Sequence, residues 1–123
     1  MGSYKELKVY TRSYEVAKRI YLRAQQFPAD ERYGLTSQVK RAATSIPLNI
    51  AEGYGKGAGE NELIRFLRMA KGSVSEMEVL LDFCGDFAHI SEEEHEEYKR
   101  QYEEIGKMLS GLIESIGKRK TNS

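Results

Sequence analysis

ERYGLTSQVKRAATSIPLNIAEG, residues 31–53, decides the fold. From Leu35 onward the apolar residues Leu35, Val39, Ala42, Ile46 and Ile50 recur at steps of four, three, four and four, which places them on one face of an α-helix. That face is core. Between Leu35 and Gly53 the only charged residues are Lys40, Arg41 and Glu52, and the rest of the outer surface is Ser37, Thr44, Ser45, Leu48 and Ala51. A solvated helix carries more charge than this, so the segment is expected to pack on two sides, once in its own bundle and once against another copy or a partner. Ser37, Thr44, Ser45 and Leu48 are the expected oligomer contacts. Pro47 removes a backbone donor and crowds the preceding turn, so a kink is expected near residues 43–47.

Around this helix the chain offers three more. A first helix over about residues 7–27 has Tyr10, Tyr14, Ala17, Tyr21 and Ala24 as its apolar face, flanked by Val9, Ile20 and Phe27. Lys5, Lys8, Arg12, Arg19 and Arg23 form a basic stripe along another face, interrupted by Glu15. Such a stripe is either a solvated face or a surface that tracks phosphates. Pro28 ends this helix, Asp30 is placed to cap the next over about 31–53, and Gly34 lies just inside it, where a neighbour can approach. Gly53-Tyr54-Gly55-Lys56-Gly57-Ala58-Gly59 reads as a linker; it follows a helix and lacks the Gly-Lys-Ser/Thr ending of a nucleotide-binding loop.

A third helix over about 60–88 carries Leu63, Phe66, Leu67, Ala70, Val74, Met77, Leu81 and Cys84 as one stripe, with Gly72-Ser73 as small residues within it. Ser91-Glu92-Glu93-Glu94 then reads as a capping box. It opens a fourth helix over about 91–119, whose Tyr98, Tyr102, Ile105, Leu109, Leu112 and Ile116 approach a heptad seam. The tail from Lys118 to Ser123 is expected to fray, and Met1-Gly2-Ser3 reads as a cloning scar. No alternating run bounded by hairpin turns marks a strand.

With 123 residues, 40% hydrophobic and 31% charged, the chain suits a single domain (1–123) with one core. One cysteine rules out an internal disulfide, and the absence of a secretory or membrane-spanning apolar run points to the cytoplasm and away from membranes. Net charge is zero but uneven. Basic against acidic residues number nine to four over 1–41, four to six over 42–83 and six to nine over 84–123. A basic first third and an acidic last third suit a polyanion-facing surface or head-to-tail contact between subunits.

No catalytic constellation assembles, so no enzyme activity, cofactor or metal is expected. His89 and His95 are six apart with only Cys84 nearby, which is no zinc spacing; capping and solvent exposure account for them. Cys84 on the apolar face reads as a small buried hydrophobe. A single Glu-x-x-His, Glu92 to His95, falls short of the paired motifs of carboxylate-bridged metal bundles. Arg32, Lys40 and Arg41 remain. They either pair with Glu31, Glu52, the acidic fourth helix or another subunit, or face a polyanion.

Phe27-Pro28, Glu31-Arg32-Tyr33-Gly34-Leu35-Thr36-Ser37-Gln38, Arg41-Ala42-Ala43, Ser45-Ile46-Pro47, Asn49-Ile50-Ala51-Glu52-Gly53, Arg65-Phe66-Leu67 and Gly72-Ser73 together resemble the 23S rRNA intervening-sequence protein family. The likeness covers nearly the whole chain. More distantly, the chain is similar to the accessory protein of diversity-generating retroelements. The resemblance implies an antiparallel up-down four-helix bundle assembling into a homo-oligomeric ring, typically pentameric, with a role in binding RNA or DNA. From the retroelement likeness it also implies a protein partner such as a reverse transcriptase. No family catalytic residues carry over. The chain departs from the commoner pattern at Lys40, where an arginine often stands beside Arg41, and in its acidic fourth helix. Lys5, Lys8, Arg12, Arg19, Arg23, Arg32, Lys40 and Arg41 are accordingly the expected nucleic-acid contacts, brought together in several copies by oligomerisation.

Overall fold

The computed structural model describes residues 3–55, 57 and 59–122, with only the backbone of 120–122. Lys56 and Ala58 of the expected linker, Met1 and Gly2 of the expected scar and Ser123 of the expected frayed tail lie outside the described residues. Among the described residues are four α-helices, two short 3-10 turns and no strand. The helices are α1, Lys8–Ala24; α2, Leu35–Gly55; α3, Glu60–Asp86; and α4, Glu92–Asn122.

Each helix begins and ends for a local reason. α1 stops at Ala24, short of residue 27, because the amides of Gln26 and Phe27 bond back three residues, to Arg23 and Ala24, and tighten the chain ahead of Pro28. Asp30 does not cap α2. It belongs to the 3-10 turn Ala29–Glu31, and Gly34 precedes the helix, its carbonyl accepting the Gln38 amide at 3.0 Å. A side chain at Gly34 would meet Glu31 only at ordinary contact distance, so no close approach requires the glycine. α2 then continues through Pro47 to Gly55.

At the end of α3 the amides of Ala88 and His89 bond to Gly85 and Cys84, with Ala88 at φ 59°. This is a Schellman closure, with alanine standing where glycine is favoured. The capping box of α4 is formed: the Glu94 amide donates to Ser91 Oγ at 3.0 Å and the Ser91 amide to Glu94 Oε1 at 2.9 Å.

α2 is packed between α1 and α3. Leu35, Val39, Ile46 and Ile50 are buried, but so are Thr36, Ala43, Pro47 and Gly53, so two faces of the helix are covered within one chain. α1 and α3 thus cover two sides of α2, and Leu48 on its remaining face stays 62% exposed. Around it the stripes of α3 and α4 close the core, with Leu67, Met77, Leu81, Tyr102, Ile105, Leu109 and Ile116 essentially inaccessible. A Cβ on Gly53 would lie 3.1 Å from Phe66 Cβ and 3.0 Å from Leu63 Cδ1, so α2 and α3 cross closely there and a side chain would press both residues aside by a few tenths of an ångström. Gly72, by contrast, is exposed with open space beside it.

The core face of α1 is rotated from the expected one. Val9, Ser13, Val16, Ala17, Ile20 and Ala24 are buried, while Tyr14 and Tyr21 are exposed and Tyr10 is half-buried. Tyrosine supplies an apolar ring with a polar tip, so it satisfies an apolar count while standing at the edge of the core. Partners across the bundle fall in register. Arg12 meets Glu104 and Arg23 meets Glu94 between α1 and α4. Ser45 meets Ser73 between α2 and α3, and His95 of α4 lies against Gly85 of α3.

Candidate nucleic-acid interface

The eight expected basic contacts divide into three groups. Arg12, Arg19 and Arg23 turn toward α4. Arg12 pairs with Glu104 and donates to Gln101 Oε1 at 3.2 Å; Arg23 holds Glu94 at 2.7 Å and donates to the His89 carbonyl at 2.9 Å. The Arg19 guanidinium stands 5.5 Å from the centre of the Tyr98 ring. Both partner acids respond. The hydrogen bond from Arg23 holds the Glu94 carboxyl below the usual carboxylate range, and that from Arg12 does the same for Glu104. In this fold all three face α4, Arg12 and Arg23 through ion pairs with its carboxylates and the exposed Arg19 through the Tyr98 ring.

Lys5 and Lys8 form the second group, exposed at the start of the chain. Thirteen residues separate Lys8 from Tyr21, about 20 Å along the helix, so these lysines stand apart from the third group.

Arg32, Lys40 and Arg41 come together in a groove of about 470 Å³ between the end of α1 and the start of α2, with Tyr21, Tyr33, Thr36, Ser37 and Thr44. Among the described residues no carboxylate lines it. Lys40 Nζ lies 4.5 Å from the Tyr21 ring centre and the Arg32 guanidinium 5.6 Å from that of Tyr33, so each cation sits on an aromatic instead of in an ion pair. Glu31, an expected partner for them, is committed elsewhere, to His89 Nε2 at 2.7 Å. That bond ties the turn before Arg32 to the corner between α3 and α4.

The expected oligomer contacts also separate. Ser37 and Thr44 line the basic groove, and Leu48, 62% exposed, lines an adjoining apolar groove of about 560 Å³ with Tyr10, Tyr14, Leu22 and Pro47. Tyr21 and Thr44 belong to both grooves. Ser45 is the exception: its hydroxyl bonds Ser73 Oγ at 2.6 Å and the Ala42 carbonyl at 2.8 Å, facing α3 within the same chain. A second apolar surface runs along α3, where Val79, Phe83 and Phe87 are exposed at four-residue steps and the two phenyl rings stack at 5.8 Å.

The histidines are not the solvent-exposed caps expected of them. His89, 11% exposed, packs by Phe27 and pairs with Glu31; His95 Nε2 pairs with Asp82 at 2.7 Å, beside Lys99 at 2.9 Å. Burial pushes the Cys84 thiol up to about 11, which makes it a poor nucleophile. Among the described residues no group of three or more His, Cys, Asp or Glu side chains is placed to hold a metal ion, and no helix is long and apolar enough to cross a membrane. Sequence reasoning missed Tyr33 and Tyr21 as members of the groove. Its only signal for Tyr33 was an aromatic between Arg32 and Gly34 in a turn.

Comparison with known proteins agrees with this fold. A sequence model described as the 23S rRNA-intervening sequence protein matches residues 5–111. A crystal structure of a Bacteroides thetaiotaomicron protein of unknown function, from the S23 ribosomal protein family, is similar with a TM-score of 0.79 and 26% identity. The likeness spans 86% of this chain and 95% of that one. No curated protein matches the chain.

Proposed function

This chain belongs to the 23S rRNA-intervening sequence protein family, and from that premise we propose that it is a non-enzymatic, cytoplasmic protein that binds nucleic acid as a homo-oligomer. The observation that carries the reading is the groove of Arg32, Lys40 and Arg41, three cations gathered where no carboxylate lines the wall. A wall that carries cations and, among the described residues, no carboxylate has a local field suited to phosphate even in a protein of zero net charge. The four helices run up and down in antiparallel order, a reading supported by Arg12 and Arg23 meeting Glu104 and Glu94 in descending sequence.

Two dissimilar apolar surfaces, the Leu48 groove and the Val79-Phe83-Phe87 row, suit a head-to-tail contact between copies. Such a contact closes into a ring, of five subunits as the family resemblance implies. Each copy then contributes one basic groove, and weak phosphate contacts act together.

The test is a salt titration of binding to structured RNA and duplex DNA, on protein whose mass is checked by light scattering. Arg41→Glu is expected to weaken binding and flatten its salt dependence at unchanged mass. Leu48→Glu is expected to yield monomers that bind poorly. An intact oligomer that binds neither nucleic acid at low salt refutes the reading, and Leu48→Glu protein of undiminished mass refutes the contact.

The exposed Val79, Phe83 and Phe87 favour a second reading, a scaffold or accessory subunit for a nucleic-acid enzyme such as a reverse transcriptase. Capture of a partner from nuclease-treated lysate, lost on Phe83→Glu substitution, would support it over direct binding.

A further inference from the structure

Resting on the nucleic-acid reading above, we infer that the groove takes single-stranded nucleic acid, with an unpaired base stacked on Tyr33 and its phosphates held by Lys40 and Arg41. Tyr33 is 89% exposed, an extreme for a tyrosine in a structured turn, and nothing in the core requires its ring. Its backbone is nonetheless anchored on both sides. Glu31, two residues earlier, is anchored to the half-buried His89 at 2.7 Å, and Gly34, one residue later, starts the bonding of α2. A ring held on an anchored turn loses little freedom when a base covers it.

Arg32 stands 5.6 Å from the Tyr33 ring centre, so the opposite face is left for a ligand, and a base there completes a cation, ring and base stack. Tyr21 acts on a cation instead of a base, since its ring lies under Lys40 Nζ at 4.5 Å, both on the groove wall. Thr44 Oγ1 donates to the Lys40 carbonyl at 2.9 Å, within the same stretch of helix. In the floor, Thr36 is buried and its hydroxyl has no hydrogen-bond partner. The groove thus combines cations that track a backbone with a flat π-surface for a base, the two components by which proteins bind strands without base pairing. A duplex uses only the first component, because both faces of its bases are already stacked within the helix.

The inference is tested by fluorescence anisotropy with a short labelled RNA lacking self-complementarity and with the same strand annealed to its complement. Oligomer mass is verified for every variant. Wild-type protein is expected to prefer the single strand. Tyr33→Ala is expected to weaken single-strand binding about tenfold and leave duplex binding and salt dependence unchanged, whereas Tyr33→Phe retains affinity. Arg41→Ala is expected to lower the salt slope for both ligands by about one. Equal affinity for both forms, insensitive to Tyr33→Ala, overturns the inference while leaving the nucleic-acid reading standing. A loss of affinity accompanied by loss of oligomer mass assigns Tyr33 to a subunit contact and also overturns it. Absence of binding to either form by the intact oligomer overturns both.

Discussion

Arg23 and Glu94 allow the strongest quantitative test of the claim that the first helix spends its charge on the fourth. Their side chains are 26% and 32% exposed and 2.7 Å apart. The pair therefore lies between a surface bridge, worth about 0–1 kcal/mol, and a buried one, whose disruption costs about 3–5 kcal/mol. We expect a coupling of about 1 kcal/mol between Arg23→Met and Glu94→Gln in a double-mutant cycle. Methionine keeps the apolar stem, and glutamine keeps the capping reach to Ser91 while removing the charge. Loss of the bond from Arg23 to the His89 carbonyl appears in both arms of the cycle and cancels.

With 123 residues and an unfolding entropy of about 2.1 cal/mol/K per residue, 1 kcal/mol corresponds to roughly 4 °C in Tm. Urea unfolding at one fixed protein concentration supplies the free energies, and variants are compared only at equal solution mass so that any assembly would contribute equally. The sign with pH follows from the carboxyl. Glu94 has a folded-state pKa below its ordinary value, chiefly through the Arg23 hydrogen bond. Its contribution is complete above the unfolded-state carboxylate pKa and is lost as pH falls through the lower folded-state one. A coupling that is absent at neutral pH, or that persists once the carboxyl is protonated, refutes the assignment. So does an RNA salt slope that drops when Arg23 is replaced, because that result would mean the guanidinium leaves Glu94 for phosphate.

Three further outcomes follow from the packing. Tyr102 is fully buried and its hydroxyl has no hydrogen-bond partner, so Tyr102→Phe should raise stability by about 1 kcal/mol in urea unfolding, and a loss of that size would show that the hydroxyl is bonded. Ala88 holds φ 59° at the end of α3; Ala88→Gly should relieve about 1 kcal/mol of strain and raise Tm, and unchanged or lower Tm would count against strain there. Gly53→Ala should lower stability despite better helix propensity, because its Cβ would meet Phe66 and Leu63 at 3.1 and 3.0 Å, whereas exposed Gly111→Ala, with open space around it, should raise stability by about 1 kcal/mol. Calorimetry on both glycine variants would expose the error if they shift Tm in the same direction.

The four helices were legible because each repeats apolar residues at helical spacing, and the capping box at Ser91 was legible because it is a local exchange of two hydrogen bonds. Periodicity reports a helix's direction of burial only as finely as its residues are unambiguous. In α1 the tyrosines were counted as core, and the face turned out to run through Val9, Ser13, Val16 and Ile20. Charge was harder to read. A stripe of arginines looks the same in sequence whether it faces water, phosphate or a partner helix. The acidic α4 lies some 70 to 90 residues from α1, and only the tertiary fold brings Glu94 and Glu104 to Arg23 and Arg12. Arg32, Lys40 and Arg41 stood out as charges on a charge-poor stretch, but the aromatic neighbour of Lys40, Tyr21, comes from α1, and only that of Arg32, Tyr33, is adjacent in sequence. Ser45, expected at a subunit contact, bonds Ser73 of α3 in the same chain; a hydroxyl on a weakly charged helix suits a second copy and a neighbouring helix equally well.

The ion pairs between α1 and α4 also bear on time. Arg12 and Glu104 are 92 positions apart, and Arg23 and Glu94 are 71 apart, whereas the other contacts among the four α-helices join helices consecutive in sequence. Closing such long loops costs entropy that shorter hairpins avoid, so the seam between the first and last helices should zip after the hairpins have formed. Contacts made after the rate-limiting step slow unfolding without hastening folding. Stopped-flow kinetics on Arg23→Met should therefore move the unfolding limb and leave the folding limb in place. The two ion pairs that join the first helix to the last act in this way as a brake, setting the lifetime of each folded chain.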